Sequence, residues 1–128
     1  MTEKIVSHRD LTVYRRSFDA AMSVFGYSKK FPKEETYSLT DQVRRSSRSV
    51  RANLTEAWRK RRYAAAFVSK LSDAETDAAE TQTWIEYAVA CNYLDRGSGA
   101  RLCGTYDKII RMIVAMINSP QKWLITPP

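Results

Sequence analysis

The stretch Ser38-Leu39-Thr40-Asp41-Gln42-Val43-Arg44-Arg45-Ser46-Ser47-Arg48-Ser49-Val50-Arg51-Ala52-Asn53-Leu54-Thr55-Glu56-Ala57 decides the fold. Leu39, Val43, Ser46 or Ser47, Val50, Leu54 and Ala57 recur every three or four residues, which places them on one face of an α-helix. With Val43 at zero on a wheel of about 100° per residue, Val50, Leu54 and Ala57 fall within about 40° of it and mark the side facing a core. That face is apolar but small in its middle, which suits close packing against neighbouring helices. The helix is expected over about 38–59, with Ser38 and Asp41 offering a cap, and it ends in Arg59-Lys60-Arg61-Arg62.

The same periodicity extends outward in both directions. Leu11, Tyr14, Phe18, Ala21 and Phe25 predict a helix over about 10–30, opened by a capping-box-like Ser7 and Asp10 and closed by Phe31-Pro32. Phe67, Leu71, Ala74, Ala78, Thr81, Ile85 and Ala88 predict a third, alanine-rich helix over about 63–92. Tyr93 to Gly99 is the clearest break, with Asp95 or Ser98 able to cap a fourth helix. Leu102, Tyr106, Ile109, Ile113, Met116 and Ile117 predict that helix over about 98–118, stopped by Asn118-Ser119-Pro120. The tail 119–128 carries Trp123, Leu124 and Ile125, which are costly to leave in water and are expected to dock.

A chain of 128 residues fits one domain, 1–128. Its four prolines, at 32, 120, 127 and 128, leave long stretches free of breakers. Four amphipathic helices on short connections imply an all-α, antiparallel up-down-up-down four-helix bundle. No apolar run approaches the roughly 20 residues of a membrane span. The N-terminus has neither an apolar h-region nor a small-residue cleavage site, so a cytoplasmic location is expected.

Chemistry finds little support. The single histidine, His8, cannot build a catalytic pair or a metal cluster alone, and no Glu-x-x-His pair is present for a di-iron bundle. Cys91 and Cys103 lack metal-ligand spacing and read as small buried hydrophobes. Ser46, Ser47 and Ser49 have no neighbouring base, and no Gly-rich phosphate loop occurs. Glu56, Glu75 and Glu80 read as partners for arginines rather than as a carboxylate set. No enzyme, metal or cofactor is expected.

The charge is informative: 21 Lys plus Arg against 14 Asp plus Glu give +7, a balance that attracts polyanions. On the wheel Arg51, Arg44 and Arg48 fall at about 80°, 100° and 140°, and Arg59 continues that flank. Arg62 extends it, and Lys60 and Arg61 flank it, a stripe of roughly 25 Å at about 1.5 Å per residue. Two readings stand. The stripe is either a phosphate-binding surface for RNA or DNA, with Tyr37, Trp58 and Tyr63 able to stack on unpaired bases, or a set of arginines bridging to acidic residues of the third helix or of another subunit. In the second case the chain is a protein-interaction scaffold.

One further pattern runs through the decisive stretch. Phe31-Pro32-Lys33-Glu34-Glu35, Tyr37-Ser38-Leu39, Asp41 through Val50, Ala52-Asn53-Leu54 and Glu56-Ala57 resemble the four-helix bundle proteins called 23S rRNA-intervening sequence proteins. Asp10-Leu11, Val13-Tyr14, Phe67, Leu71, Ala74, Glu80-Thr81 and Tyr93-Leu94 match in order, so the resemblance covers about residues 8–118. The chain departs from it at Ala57-Trp58, where many members carry Gly, and at Ser46 and Ser47, where alanines are common. The resemblance implies a small cytosolic bundle and, through the related accessory proteins of diversity-generating retroelements, a cyclic homopentamer. In those relatives the ring binds nucleic acid and a reverse transcriptase. Asn53 and Glu56 are motif positions, expected to satisfy backbone or arginine groups within the bundle.

Overall fold

A computed structural model describes residues 5–125. Four helices carry the fold: α1 Thr12–Ser28, α2 Leu39–Arg59, α3 Ala64–Ala90 and α4 Arg96–Asn118. Single 3-10 turns lie at His8–Asp10, Lys33–Glu35 and Pro120–Lys122. Each helix packs on its neighbours in sequence and α1 also packs on α4, while the diagonal pairs α1/α3 and α2/α4 stay apart. With connections this short, that ring of contacts is the up-down-up-down arrangement.

The helix ends reflect local chemistry. Ser7 and Asp10 do form a reciprocal capping box, but it closes the 3-10 turn, and α1 begins only after Leu11. α1 stops at Ser28, two residues before the expected end, because the Lys30 and Phe31 N–H groups turn back onto the Tyr27 and Ser28 carbonyls. The Ser38 hydroxyl bonds to the Glu35 carboxylate rather than to α2, and that carboxylate accepts the Leu39 N–H at 3.4 Å. At the end of α3 the Asn92 N–H donates to Val89 and the Tyr93 N–H to Ala88, with Asn92 at φ 63°. This is the left-handed exit that asparagine tolerates among non-glycine residues. The Asp95 carboxylate accepts the Ser98 N–H at 2.9 Å, so α4 starts at Arg96.

Val50, Phe67, Leu71, Ala74, Ala78, Tyr106, Ile109 and Ile113 are sealed from solvent at the centre. The predicted core faces of α2 and α3 are buried in full, and that of α4 is buried through Met116 with Ile117 packed at its rim. Buried hydroxyls fold back onto their own helices: Ser46 to the Val43 carbonyl, Ser47 to Arg44, Thr81 to Asp77. They add bulk without leaving an unmet donor, and the Thr81 and Ser46 hydroxyl oxygens also lie within hydrogen-bond distance, 2.8 Å, across the α2/α3 contact. Gly99 lets the first turn of α4 rest on α3, since a Cβ there would stand 2.4 Å from Val89 Cγ2.

Several expectations need correction. The core side of α1 is Val13, Tyr14, Ser17, Ala20, Val24 and Ser28, so Phe18 and Phe25 lie on its flank. Cys91 is exposed, because it sits where α3 turns out of the core, while Cys103 is half-buried and its thiol is pushed up mainly by burial. Among the described residues no arginine pairs with Glu56, Glu75 or Glu80; Glu56 meets Lys70 at 3.5 Å. Asn53 bonds to neither backbone nor arginine: its Nδ2 donates to Asp77 Oδ2 at 2.7 Å. The tail docks through Trp123 and Leu124, whereas 1–4 and 126–128 lie outside the described residues.

Candidate nucleic-acid interface

Burial of Val43, Val50, Leu54 and Ala57 fixes the rotation of α2 and swings Arg44, Arg48 and Arg51 over α1. They meet the rings that the rotation of α1 leaves on its flank. Arg44 lies 4.8 Å and Arg48 5.7 Å from the Phe25 ring centre, and Arg51 lies 3.9 Å from Tyr14 and 4.4 Å from Phe18. Lys29, just past the end of α1, sits 4.7 Å above Phe25. A ring face attracts a cation without neutralising it, so these contacts orient the guanidinium groups and leave their charge available. Arg44 Nε also donates to Ser28 Oγ at 2.7 Å.

Among the described residues no carboxylate lies within ion-pair distance of Arg44, Arg48 or Arg51. The ion pairs among the described residues join Asp41 to Arg45 and Lys70 to Glu56 and Asp73, and none reaches Arg44, Arg48 or Arg51. Arg51 Nε is buried and meets no acceptor. The acids are concentrated elsewhere: α3 carries Asp73, Glu75, Asp77, Glu80 and Glu86 against the single cation Lys70. α3 lies diagonally across from α1 and packs along the other side of α2.

Toward the end of α2 the predicted cluster divides. Arg59, Lys60 and Arg62 are exposed. Arg61 turns inward, with its guanidinium 3.5 Å from the Trp58 ring centre, Nε donating to the Trp58 carbonyl at 2.8 Å and Nη1 to the Trp123 carbonyl at 3.2 Å. Burial, and then the charge of Arg59, lower its pKa. Trp58, closed over by Arg61 and by Trp123 at 6.5 Å between ring centres, is only 5% exposed and offers no face to a base. Tyr37 and Tyr63 do stand in solvent.

The aromatics that border the arginines are Phe18 and Phe25, which helical spacing alone assigns to the core. Together with Met22 on α1 and Arg48, Arg51 and Thr55 on α2, they line an open groove of about 420 Å³. The alternative stripe Val13-Ser17-Ala20-Val24-Ser28 has equally good helical spacing and was the available signal. Its serines score as polar although each can close on its own helix, as Ser17 does on the Tyr14 carbonyl at 2.9 Å. His8 packs edge-on against Tyr14 at 4.9 Å beside the ledge, and its pKa is lowered by burial and then by Arg9, Arg51 and Arg59. No group of three His, Cys, Asp or Glu side chains converges among the described residues, and no helix is long and apolar enough to cross a membrane.

The profile of the family described as 23S rRNA-intervening sequence protein matches residues 9–115. Among solved structures, the chain is similar to a protein of unknown function from the S23 ribosomal protein family of Bacteroides thetaiotaomicron. The two align with a TM-score of 0.76 at 25% identity over 84% of this chain and 96% of that one. No curated protein matches the chain in sequence.

Proposed function

The chain belongs to the 23S rRNA-intervening sequence protein family, and from that premise we propose that it is a non-enzymatic, cytoplasmic homopentamer that binds RNA or DNA through the α1/α2 ledge. The observation that carries this reading is the set of arginines held against aromatic rings, Arg44, Arg48 and Arg51, with no ion-pair partner among the described residues and with Arg59, Lys60 and Arg62 exposed further along the chain. With Arg44 Nε bonded to Ser28 and Arg51 Nε buried, the paired Nη groups are the edge left for two phosphate oxygens. Arg61 is left out of the surface because Nε and Nη1 turn its guanidinium onto its own helix end and the tail.

The test is fluorescence anisotropy of labelled RNA and DNA titrated across salt concentration. Binding that weakens steeply with salt is expected. The triple variant Arg44→Ala, Arg48→Ala, Arg51→Ala should flatten the slope of log K against log salt by roughly 2–3 while keeping the helical signal. No binding at low salt would sink the reading. Sedimentation velocity should give five times the 14.7 kDa chain mass.

A second reading, a protein-interaction scaffold whose arginines make intersubunit contacts, draws support from the charge division. A head-to-tail ring needs two unlike complementary faces on each protomer, and an acidic α3 with a basic α1/α2 edge supplies them.

A further inference from the structure

The ledge borders a groove whose two walls are chemically unlike. On α1 the wall is apolar, with Phe18 44% and Met22 50% exposed. On α2 it is cationic, made by Arg48 and Arg51, and between them Ala21 and Ala52 contribute only methyl groups, which keeps the groove open. A duplex would satisfy the cations through its outer phosphates while its base faces stayed stacked on each other, leaving Phe18 and Met22 in water. A single strand offers phosphates and a free base face together.

We infer that this groove is a slot for an unpaired base of single-stranded nucleic acid, the base lying against Phe18 and Met22 while the adjoining phosphates take the outward edges of Arg48 and Arg51. The inference rests on the polyanion-binding reading above and adds to it the strandedness and the residues that sense it. Arg51 supports it independently: it is gripped between the Tyr14 and Phe18 rings, yet no counter-ion stands within ion-pair distance among the described residues. A phosphate supplies the missing charge. The slot is sequence-tolerant, because the one uncharged polar side chain lining it besides the Tyr14 ring, Thr55, donates its hydroxyl to the Arg51 carbonyl at 3.2 Å, which leaves little to read a base edge.

The experiment measures anisotropy at one low salt concentration with three labelled probes of equal length: a base-bearing single strand, an abasic sugar-phosphate strand and a duplex. The base-bearing strand should bind about fivefold or more tighter than the abasic strand, the lower end of what stacking one base contributes. It should also bind tighter than the duplex. Phe18→Ala with Met22→Ala should erase the preference over the abasic strand, and because Phe18 also holds Arg51 any fall in abasic affinity should be smaller than the fall for the base-bearing strand. Phe18→Leu, which keeps apolar bulk and removes the ring, should act in the same direction with the fold intact. Equal binding of base-bearing and abasic strands, or a preference for duplex, would overturn the slot while leaving the polyanion reading standing. Loss of the oligomer in these variants would assign the groove to a contact between copies and also overturn the slot. Failure of all three probes to bind would remove both readings.

Discussion

Arg61→Ala and Arg62→Ala change the same charge one residue apart, and the structure predicts opposite consequences. Arg61 donates to the carbonyls of Trp58 and Trp123 and stacks on the Trp58 ring. Two net hydrogen bonds at about 0.5–1.5 kcal/mol each and a stacking contact of about 0.5–1 kcal/mol give a loss of about 1.5–4 kcal/mol. The main-chain bond from the Ile125 N–H to the Arg61 carbonyl survives the change, which favours the lower part of that range. For a chain of this size the fall in Tm is roughly 10 °C. Arg62 is exposed, and its replacement should stay within about 0.5 kcal/mol of wild type. Nucleic-acid affinity should sort the other way, with the salt slope reduced by about 0.9 in Arg62→Ala and nearly unchanged in Arg61→Ala. Thermal unfolding by circular dichroism and anisotropy across salt check the two halves. An Arg61→Ala protein as stable as Arg62→Ala would refute the clamp, and so would an Arg61→Ala protein that loses the larger share of the salt slope.

Three more outcomes turn on single side chains. Tyr106 is sealed in the core, its hydroxyl has no partner and burial pushes its pKa far up, so Tyr106→Phe should raise stability in urea by about 1 kcal/mol. A loss of that size would mean that the hydroxyl is bonded. Burial raises the pKa of Asp77 despite the Asn53 hydrogen bond, so its contribution is fullest below the ordinary aspartate pKa and is lost as pH rises through the raised value. Asp77→Asn, which retains an acceptor for Asn53, should therefore match or exceed wild type in urea unfolding at neutral pH and fall behind it on acidification. His8 titrates below its ordinary range beside Arg51 and Arg59, and phosphates seated there would raise it, so binding takes up a proton. Affinity should strengthen as pH falls through the histidine range in wild type and strengthen less in His8→Gln.

The helices were legible wherever a core face was made of residues that score as apolar. The faces of α2, α3 and α4 could be read from Leu39 through Ala57, Phe67 through Ala88 and Leu102 through Met116 because periodicity and hydrophobicity agree there. They disagree in α1. Its large rings sit at helical spacing beside a stripe that contains Ser17, Ala20 and Ser28, and packing favours the small stripe because it lets α2 approach closely. The stacking energy of Phe18 and Phe25 comes from arginines on another helix, which no single-helix pattern contains. Arg61 was unreadable for a related reason: its partners are the carbonyls of its own helix end and of a residue far along the chain. Asn53 bonded to Asp77 is likewise a pairing across two helices. For the candidate site, the wheel placed Arg44, Arg48 and Arg51 on one flank, and the groove they border emerged only once α1 had a rotation.

The segregation of charge has two uses, and salt separates them. If the acidic face of α3 receives the arginine ledge of a neighbouring copy, those ion pairs lie at the interface and are largely accessible at its edge, so raising the salt concentration weakens the assembly itself. If the ledge faces nucleic acid, the contacts between copies rest on other surfaces, and salt releases the polyanion from an assembly whose mass does not change. The ring contacts prepare the ledge for either use. Phe25 holds Arg44 and Arg48, and Tyr14 and Phe18 hold Arg51, in directions set by α1 alone, so the ledge is organised before any partner arrives. A cation already held in place loses less side-chain freedom on meeting a phosphate. Sedimentation velocity at low and high salt, with and without a single-stranded probe, therefore distinguishes a ring made by the arginines from a ring that presents them.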